Sequence, residues 1–251
     1  MPPIQGARRK AVVTVWPEVE DALEAIISEY EKVNHVISLY QDDKVRRLGL
    51  RLVSGSRGVG LELGSGPGNF SRLVAATHKG PLVCLDYSDR MLRTGRARNS
   101  TLGFSYVRAV FEALPFRGGV FSLVTASYAL RDTLDKPRAI GEACTVAAPG
   151  GRLLLIDIGK PDNPVFQGFM GLYMRFIVPV MGGLVAGYGY RNPWSMLYST
   201  YELLPSNDAL RGLISRLWGK VEMREFILGA IIVALGAKPG LCMSPGQVSD
   251  P

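Results

Sequence analysis

Between residues 61 and 70 the chain reads Leu61-Glu62-Leu63-Gly64-Ser65-Gly66-Pro67-Gly68-Asn69-Phe70. The glycines Gly64, Gly66 and Gly68 alternate as G-x-G-x-G, directly after a short apolar run and before a run with helical spacing. Residues without a Cβ let the backbone approach a ligand closely and permit positive φ. In open α/β sheets, ligands settle beyond the carboxyl ends of the strands, where the strand order reverses. The next apolar run, 81–86, ends in Asp86. A carboxylate there can accept both hydroxyls of a ribose. Loop and acid together define a site for an adenosine-bearing ligand.

Two residues discriminate between such ligands. The dinucleotide fingerprint G-x-G-x-x-G requires a third glycine where this chain has Asn69. Glu62, inside the strand, would repel a pyrophosphate but suits a cationic α-amino group. S-adenosylmethionine carries an ammonium and a sulfonium and no phosphate, and is the cofactor these residues predict. A plain tight turn with Glu62 as an incidental surface acid is the bland alternative.

These residues need a scaffold that alternates strands and helices. Apolar runs predict strands at 59–63, 81–86, 104–108, 121–126 and 152–158. Helical patterns intervene at 69–76, 88–98 (with Ser88 as N-cap) and 136–147, the last closed by Pro149-Gly150-Gly151. Such alternation implies βαβ units and a mainly parallel sheet. Upstream, 17–53 reads as helices, with apolar spacing at Leu23, Ile26, Ile27, Tyr30, Val33 and Ile37. Downstream, 160–205 reads as a mostly helical insertion and 208–219 as a helix. Two strands, 221–228 and 230–235, are joined tightly at Gly229, so the sheet closes on an antiparallel strand. The tail from Lys238 is rich in Pro, Gly and Ser.

The chain has 251 residues, 47% hydrophobic and 20% charged, enough apolar content for a sizeable core. The net charge of +7 favours anionic partners. Its basic residues are dispersed, however, and the densest group, Arg90, Arg93, Arg96 and Arg98, reads as the solvated face of one helix. With no appended RNA-binding module and no basic-aromatic stripe, no nucleic acid partner is expected. The three cysteines, Cys84, Cys144 and Cys242, form no C-x-x-C pair, which argues against a disulfide scaffold or a zinc site and for a reducing, cytoplasmic setting. Two histidines, His35 and His78, do not suggest a metal centre, and no metal is expected. Residues 165–190 are strongly apolar, but Arg175 and Pro179 sit at their centre. A charge at mid-bilayer costs roughly 2.5–3.5 kcal/mol, so a buried helical lid, touching a membrane surface at most, is expected rather than a span.

Several segments together resemble one family. Tyr30, Asn34 and Ser38, with Glu31, stand at the spacing Y-[DE]-x-x-N-x-x-x-S. The glycine loop is followed by Asp86-Tyr87-Ser88-Asp89-Arg90-Met91-Leu92, then Glu112-Ala113-Leu114-Pro115-Phe116, Ser127-Tyr128-Ala129-Leu130-Arg131-Asp132 and Pro149-Gly150-Gly151-Arg152. From about residue 30 to 238 the chain resembles the class I methyltransferases, and within them the C-methyltransferases of ubiquinone and menaquinone biosynthesis. The chain departs from that pattern at Val110, where the family carries an Asp that bonds the adenine amine. It departs again at Ala129 and Asp132, and loosely after Tyr190.

The resemblance implies a Rossmann-like α/β fold: a mainly parallel seven-stranded sheet with an antiparallel C-terminal strand, N-terminal helices over 17–53, and a methyltransferase domain over 57–238. Within that domain 160–205 would form a helical substrate lid; 239–251 would be a flexible tail. It implies S-adenosylmethionine as cofactor. Glu62, Gly64, Ser65, Gly66 and Gly68 would hold its methionine end, Asp86 the ribose and Tyr87 the adenine edge, with Met91 also binding the cofactor. Phe111 and Glu112 would lie near the adenine and Ser127 near the sulfonium, with Tyr30 and Asn34 capping the cofactor. Arg131 would be catalytic, stabilising a quinolate or orienting a proton-accepting water. Tyr128, Arg131, Phe169 and Tyr173 would meet a lipid-like quinol substrate. A membrane-surface contact and a homodimer are further expectations. A methyltransferase for another apolar acceptor or for RNA, and a non-catalytic binding protein on the same fold, are the competing readings.

Overall fold

The structure is a computed structural model, and it describes residues 30–187, 189 and 192–239. Leu23, Ile26 and Ile27 of the expected N-terminal helices, Cys242, and the tail beyond residue 239 lie outside the described residues.

The described residues begin with two helices, α1 (Tyr30–Ile37) and α2 (Asp42–Leu52). The alternation expected from the sequence follows: β1 (Val59–Leu63), α3 (Asn69–Thr77), β2 (Leu82–Asp86), α4 (Asp89–Arg98), β3 (Ser105–Arg108), β4 (Phe121–Ser127), α5 (Lys136–Val146) and β5 (Ala147–Ile158). After β5 come α6 (Pro164–Leu172), a π-helical turn (Tyr173–Ile177), α7 (Val178–Ala186), α8 (Met196–Glu202) and α9 (Asn207–Trp218). The hairpin β6 (Val221–Phe226) and β7 (Ile231–Ala237) ends the fold.

All seven strands form one sheet in the order β3-β2-β1-β4-β5-β7-β6. Strands β1 to β5 run parallel; β7 is antiparallel to both β5 and β6. The order reverses at β1, so the carboxyl ends of β1, β2 and β4 converge. Val, Leu and Ile dominate these strands because a parallel sheet is buried on both faces. On one face Leu61, Leu63, Val124 and Leu155 pack against α5 and α9, including Ile140, Ile214 and Trp218. On the other, Cys84, Leu123, Leu154 and Ile156 pack against α2 and α3 through Val45, Leu50, Phe70 and Val74.

Three expectations need correction. The helix before the Pro-Gly-Gly turn stops at Val146, and β5 already starts at Ala147 and runs through the turn. Its pairing with β4 is irregular between Phe121 and Leu123. The apolar segment 164–186 is not a buried lid: α6 has no buried residue, and Val165, Phe166, Phe169, Leu172, Phe176, Ile177, Val180 and Leu184 are exposed. The other side of this continuous helix packs on α1 and α8 through Met174, Val178, Val33, Leu197 and Tyr201. Pro179 lacks the amide that would bond the carbonyl of Arg175, and the widened π turn directly precedes it. Finally, Cys84 is free and buried, but Cys144 is in a disulfide bond. This bond removes the support that cysteine usage lent to a reducing compartment.

Candidate active site

The functional residues gather where the strands end. Gly64 begins the turn after β1 with φ +68, and a Cβ there would lie 2.4 Å from the Cβ of Ala129 and 3.0 Å from the Phe111 ring. The turn therefore requires glycine for space as well as conformation. At Gly66 (φ +52) a Cβ would meet nothing within 4 Å, because the loop opens onto a cavity. Gly68 caps α3 in a left-handed conformation, and a Cβ there would collide with Asn99 Nδ2.

Asp86, at the end of β2, fixes this loop from the side. Its Oδ2 accepts the Gly66 amide at 2.8 Å and its Oδ1 accepts the Ser88 amide at 2.9 Å. Burial raises its pKa above the ordinary carboxylate value, opposed by the Ser88, Gly66 and Tyr87 amides. Ser88 in turn caps α4 by accepting the Met91 amide.

Around this loop lies the first cavity, lined by Gly64, Gly66, Asp86, Tyr87, Met91, Phe111, Glu112 and Ser127 among others. Eight of the predicted cofactor residues are thus brought together. Val110 lines it too, and its side chain supplies no acceptor. Glu112 also ties down a neighbouring loop, its Oε1 accepting the amides of Leu134 and Asp135.

Glu62, Ser65 and Gly68 do not line this cavity. Glu62 points from β1 toward α2 and α3 and is 1% exposed. Its Oε2 has no hydrogen-bond partner. Burial pushes its pKa up to about 8, against a Ser71 hydrogen bond and the field of Arg46. The Ser65 hydroxyl is likewise buried without a partner. A buried carboxyl with one oxygen unpaired, and a buried hydroxyl without a partner, beside an open glycine loop are groups a cationic amino-acid end would satisfy, so these residues fit S-adenosylmethionine.

A second, larger cavity adjoins the first, and Tyr128 lines both. Tyr128 takes a left-handed backbone (φ 56) at the end of β4, a conformation that costs a bulky residue roughly 1–3 kcal/mol and clusters at functional sites. The second cavity is walled by Ile37, Ile158, Met170, Tyr173, Met174, Val178 and Leu197, with Asn34, Ser38, Asp42, Arg46 and Arg131 as polar members. Arg131 is 5% exposed, not a surface residue. Its Nε donates to Asp132 at 3.2 Å and its backbone amide to Asp157 at 3.2 Å. Asp157 is fully buried, and burial lifts its pKa to about 6 against the pull of Arg131.

Of the predicted substrate residues, Tyr128, Arg131 and Tyr173 meet in this cavity. Phe169 does not: it is 69% exposed on the outer face of α6, and Met170 turns inward in its place. Asn34 lines the second cavity rather than the first, and the side chain of Tyr30 lies outside the described residues. Asp42, Arg46 and Asp157 were missed. A signal existed for the first two: Asp42, Val45, Arg46, Gly49 and Leu50 form the buried stripe of α2, at the i, i+3, i+4 spacing of a core-facing surface. Two charged residues on such a stripe mark a site.

A seven-stranded sheet in this order, with a glycine loop after β1 and an acid after β2, defines a class I S-adenosylmethionine-dependent methyltransferase. Solved structures share this fold: a methyltransferase from Thermotoga maritima (TM-score 0.62, 16% identity, 88% of this chain and 99% of that one) and the N-methyltransferase NodS from Bradyrhizobium japonicum bound to S-adenosylhomocysteine (TM-score 0.56, 15% identity, 80% and 87%). The profile of the ubiE/COQ5 methyltransferase family matches residues 11–238, and the chain belongs to that family. Relatives include the ubiquinone/menaquinone biosynthesis C-methyltransferase UbiE of Klebsiella pneumoniae, 31% identical over 86% of this chain and 88% of its own. The demethylmenaquinone methyltransferase of Staphylococcus saprophyticus is 26% identical over 88% and 96%.

Proposed function

We propose that this enzyme methylates a ring carbon of a polyprenyl quinol such as demethylmenaquinol. The observation that carries this reading is the pair of adjoining cavities sharing Tyr128: one opens on the glycine loop and Asp86, the other is largely apolar with Arg131 in its wall. The names of the relatives support the quinol as acceptor.

S-adenosylmethionine, when bound, supplies an electrophilic methyl group on a sulfonium. The protein's part is to align the acceptor with that methyl group and exclude water. Asp86 takes the ribose hydroxyls. Tyr87, Met91 and Phe111 surround the adenine with Glu112, and Ser127 stands near the sulfonium. Glu62, Gly64, Ser65, Gly66 and Gly68 serve the methionine end. A quinol hydroxyl that loses its proton pushes electron density onto the adjacent ring carbon; this carbon bonds the methyl group as the methyl–sulfur bond breaks, S-adenosylhomocysteine leaves, and loss of the proton from that ring carbon restores the aromatic ring. Arg131 stabilises the negative charge on that oxygen, at a site dry enough for the charge to count. Tyr173 and Tyr128 bracket the ring and the start of the tail.

The greasy tail also explains the outward face of 164–186. The most apolar 18-residue window of this helix has mean hydropathy 1.6, and only 28% of it is buried. Its inner residues Met170, Tyr173 and Met174 wall the second cavity, so its outer face would place that cavity against lipid. We assign this face to a membrane surface.

The direct test is turnover of a prenylated demethylquinol by wild type and Arg131→Ala. A loss of about 100-fold or more in kcat with S-adenosylhomocysteine affinity retained supports the assignment of Arg131. Unchanged turnover removes Arg131 from the mechanism.

A further inference from the structure

S-adenosylmethionine ends in a zwitterion: an ammonium and a carboxylate on one carbon. Glu62 answers the ammonium in the reading above, and that leaves the carboxylate. A carboxylate carried into a buried site needs a cation with free donors, and arginine is the side chain whose planar fork suits it.

Arg46 on α2 meets this description. Its side chain is 10% exposed, and it reaches across the sheet edge so that Nε donates to Ser127 Oγ at 3.1 Å. Its guanidinium lies over the rings of Tyr128 and Phe70, at 5.2 and 5.8 Å from their centroids. Two aromatic faces and one hydrogen bond hold the group in place without using its outer nitrogens. Those nitrogens have only loose partners: NH1 is 3.6 Å from carboxylate oxygens of both Asp42 and Asp43, beyond hydrogen-bond distance. Asp42 does not depend on Arg46, because His35 Nδ1 lies 2.8 Å from its Oδ2 and Ser38 donates to its Oδ1 at 2.9 Å. His35, Asp42 and Asp43 lie close enough to share a cation, and the guanidinium of Arg46 already stands between the two carboxylates.

The position is as telling as the partners. Ser127 lines the first cavity, and Tyr128, under the guanidinium, lines both. Arg46 itself lines the second, and its charge is felt by Glu62. A buried base therefore stands at the seam between the cavities, within electrostatic reach of a buried acid.

We propose that Arg46 binds the α-carboxylate of the cofactor, forming with Glu62 a paired receptor for its amino-acid end. The proposal rests on the cofactor reading above and adds the residue that would select an intact methionyl group. An ordinary structural arginine on α2 would tie the helix to the sheet but would not distinguish ligands by their carboxylate.

Calorimetric titration separates the two. Wild type, Arg46→Met and Arg46→Lys are each titrated with S-adenosylhomocysteine and with S-adenosyl-3-thiopropylamine, the same molecule without its carboxylate. Wild type is expected to prefer S-adenosylhomocysteine by about 100-fold, because removing the carboxylate leaves the outer guanidinium nitrogens with only their long contacts to Asp42 and Asp43. Arg46→Met is expected to bind both ligands alike, with affinity for the amine within about 3-fold of wild type, which also shows that the variant folds. Arg46→Lys keeps a reduced preference, since a point charge replaces the fork. An undiminished preference in Arg46→Met, or none in wild type, overturns the assignment of Arg46. Failure of wild type to bind either ligand overturns it together with the cofactor reading, and so is distinct from failure of Arg46 alone.

Discussion

The Asp86 carboxylate reaches back across 20 residues to accept the Gly66 amide at 2.8 Å. One side chain therefore holds the glycine loop in shape and borders the cavity where a ribose would lie. Asp86→Ala should weaken S-adenosylhomocysteine by about 100-fold, near 2.7 kcal/mol, because loop order and a charged acceptor are lost together. Calorimetry measures this. Affinity within a few-fold of wild type would show that the cofactor binds elsewhere.

The glycines of the loop should not be equivalent. At Gly64 a Cβ would collide with Ala129 and crowd Phe111; at Gly66 it would enter open space. Gly64→Ala should cost about 3 kcal/mol of stability, from overpacking added to left-handed strain, and Gly66→Ala about 1 kcal/mol, from strain alone. Urea denaturation would report the two costs, and equal costs would contradict the packing described for Gly64.

Glu62 makes cofactor binding depend on protons. Its pKa is raised to about 8 by burial, so at pH 7 the carboxyl is mostly protonated in the free protein. An ammonium beside it favours the charged form, and binding should then release up to about one proton. Titrating S-adenosylhomocysteine at pH 7 in buffers of different ionisation enthalpy measures that release, and Glu62→Gln should abolish it. Stability follows the same sign. A group raised in the folded state contributes stability that is full below its unfolded value of 4.5 and is lost as pH rises through about 8. Glu62→Gln should flatten that decline. A buffer-independent binding enthalpy in wild type would place the ammonium away from Glu62.

The outward face of 164–186 should bind lipid. Wild type should co-sediment with anionic vesicles, and a Phe169→Ser, Leu172→Ser, Leu184→Ser triple variant should sediment several-fold less, since each replaces an exposed apolar side chain. No sedimentation of wild type, with a homodimer that buries these residues instead, would assign the face to self-association.

Much of this was legible in the chain because it is local. A glycine loop between a strand and a helix, and an acid ending the next strand, are backbone requirements written within a few residues of where they act. Strand and helix alternation likewise gave the parallel sheet, since apolar runs and 3.6-residue spacing need no tertiary knowledge. Two kinds of information were less accessible. The burial of Asp42 and Arg46 depends on α2 packing over the edge of the sheet, and a run such as Asp42-Asp43-Lys44-Val45-Arg46-Arg47 looks solvated until its partners are known. The segment 164–186 differs for the opposite reason. Its apolar content predicts burial, yet only one side of that helix finds protein to pack on, and Phe169 lies on the other. Asp157 is hidden within Leu153-Leu154-Leu155-Ile156-Asp157-Ile158, where its contact with the Arg131 amide joins β5 to the turn that follows β4.

The most direct test of the whole account is where the methyl group goes. The enzyme is incubated with methyl-labelled S-adenosylmethionine and demethylmenaquinol in detergent, and the product is examined by mass spectrometry and carbon NMR. The account predicts one labelled methyl on a quinol ring carbon, and transfer reduced by about 10-fold or more with Asp86→Ala at cofactor concentrations that just saturate wild type. Label on a hydroxyl oxygen, or no transfer by a protein that still binds S-adenosylhomocysteine, would contradict it.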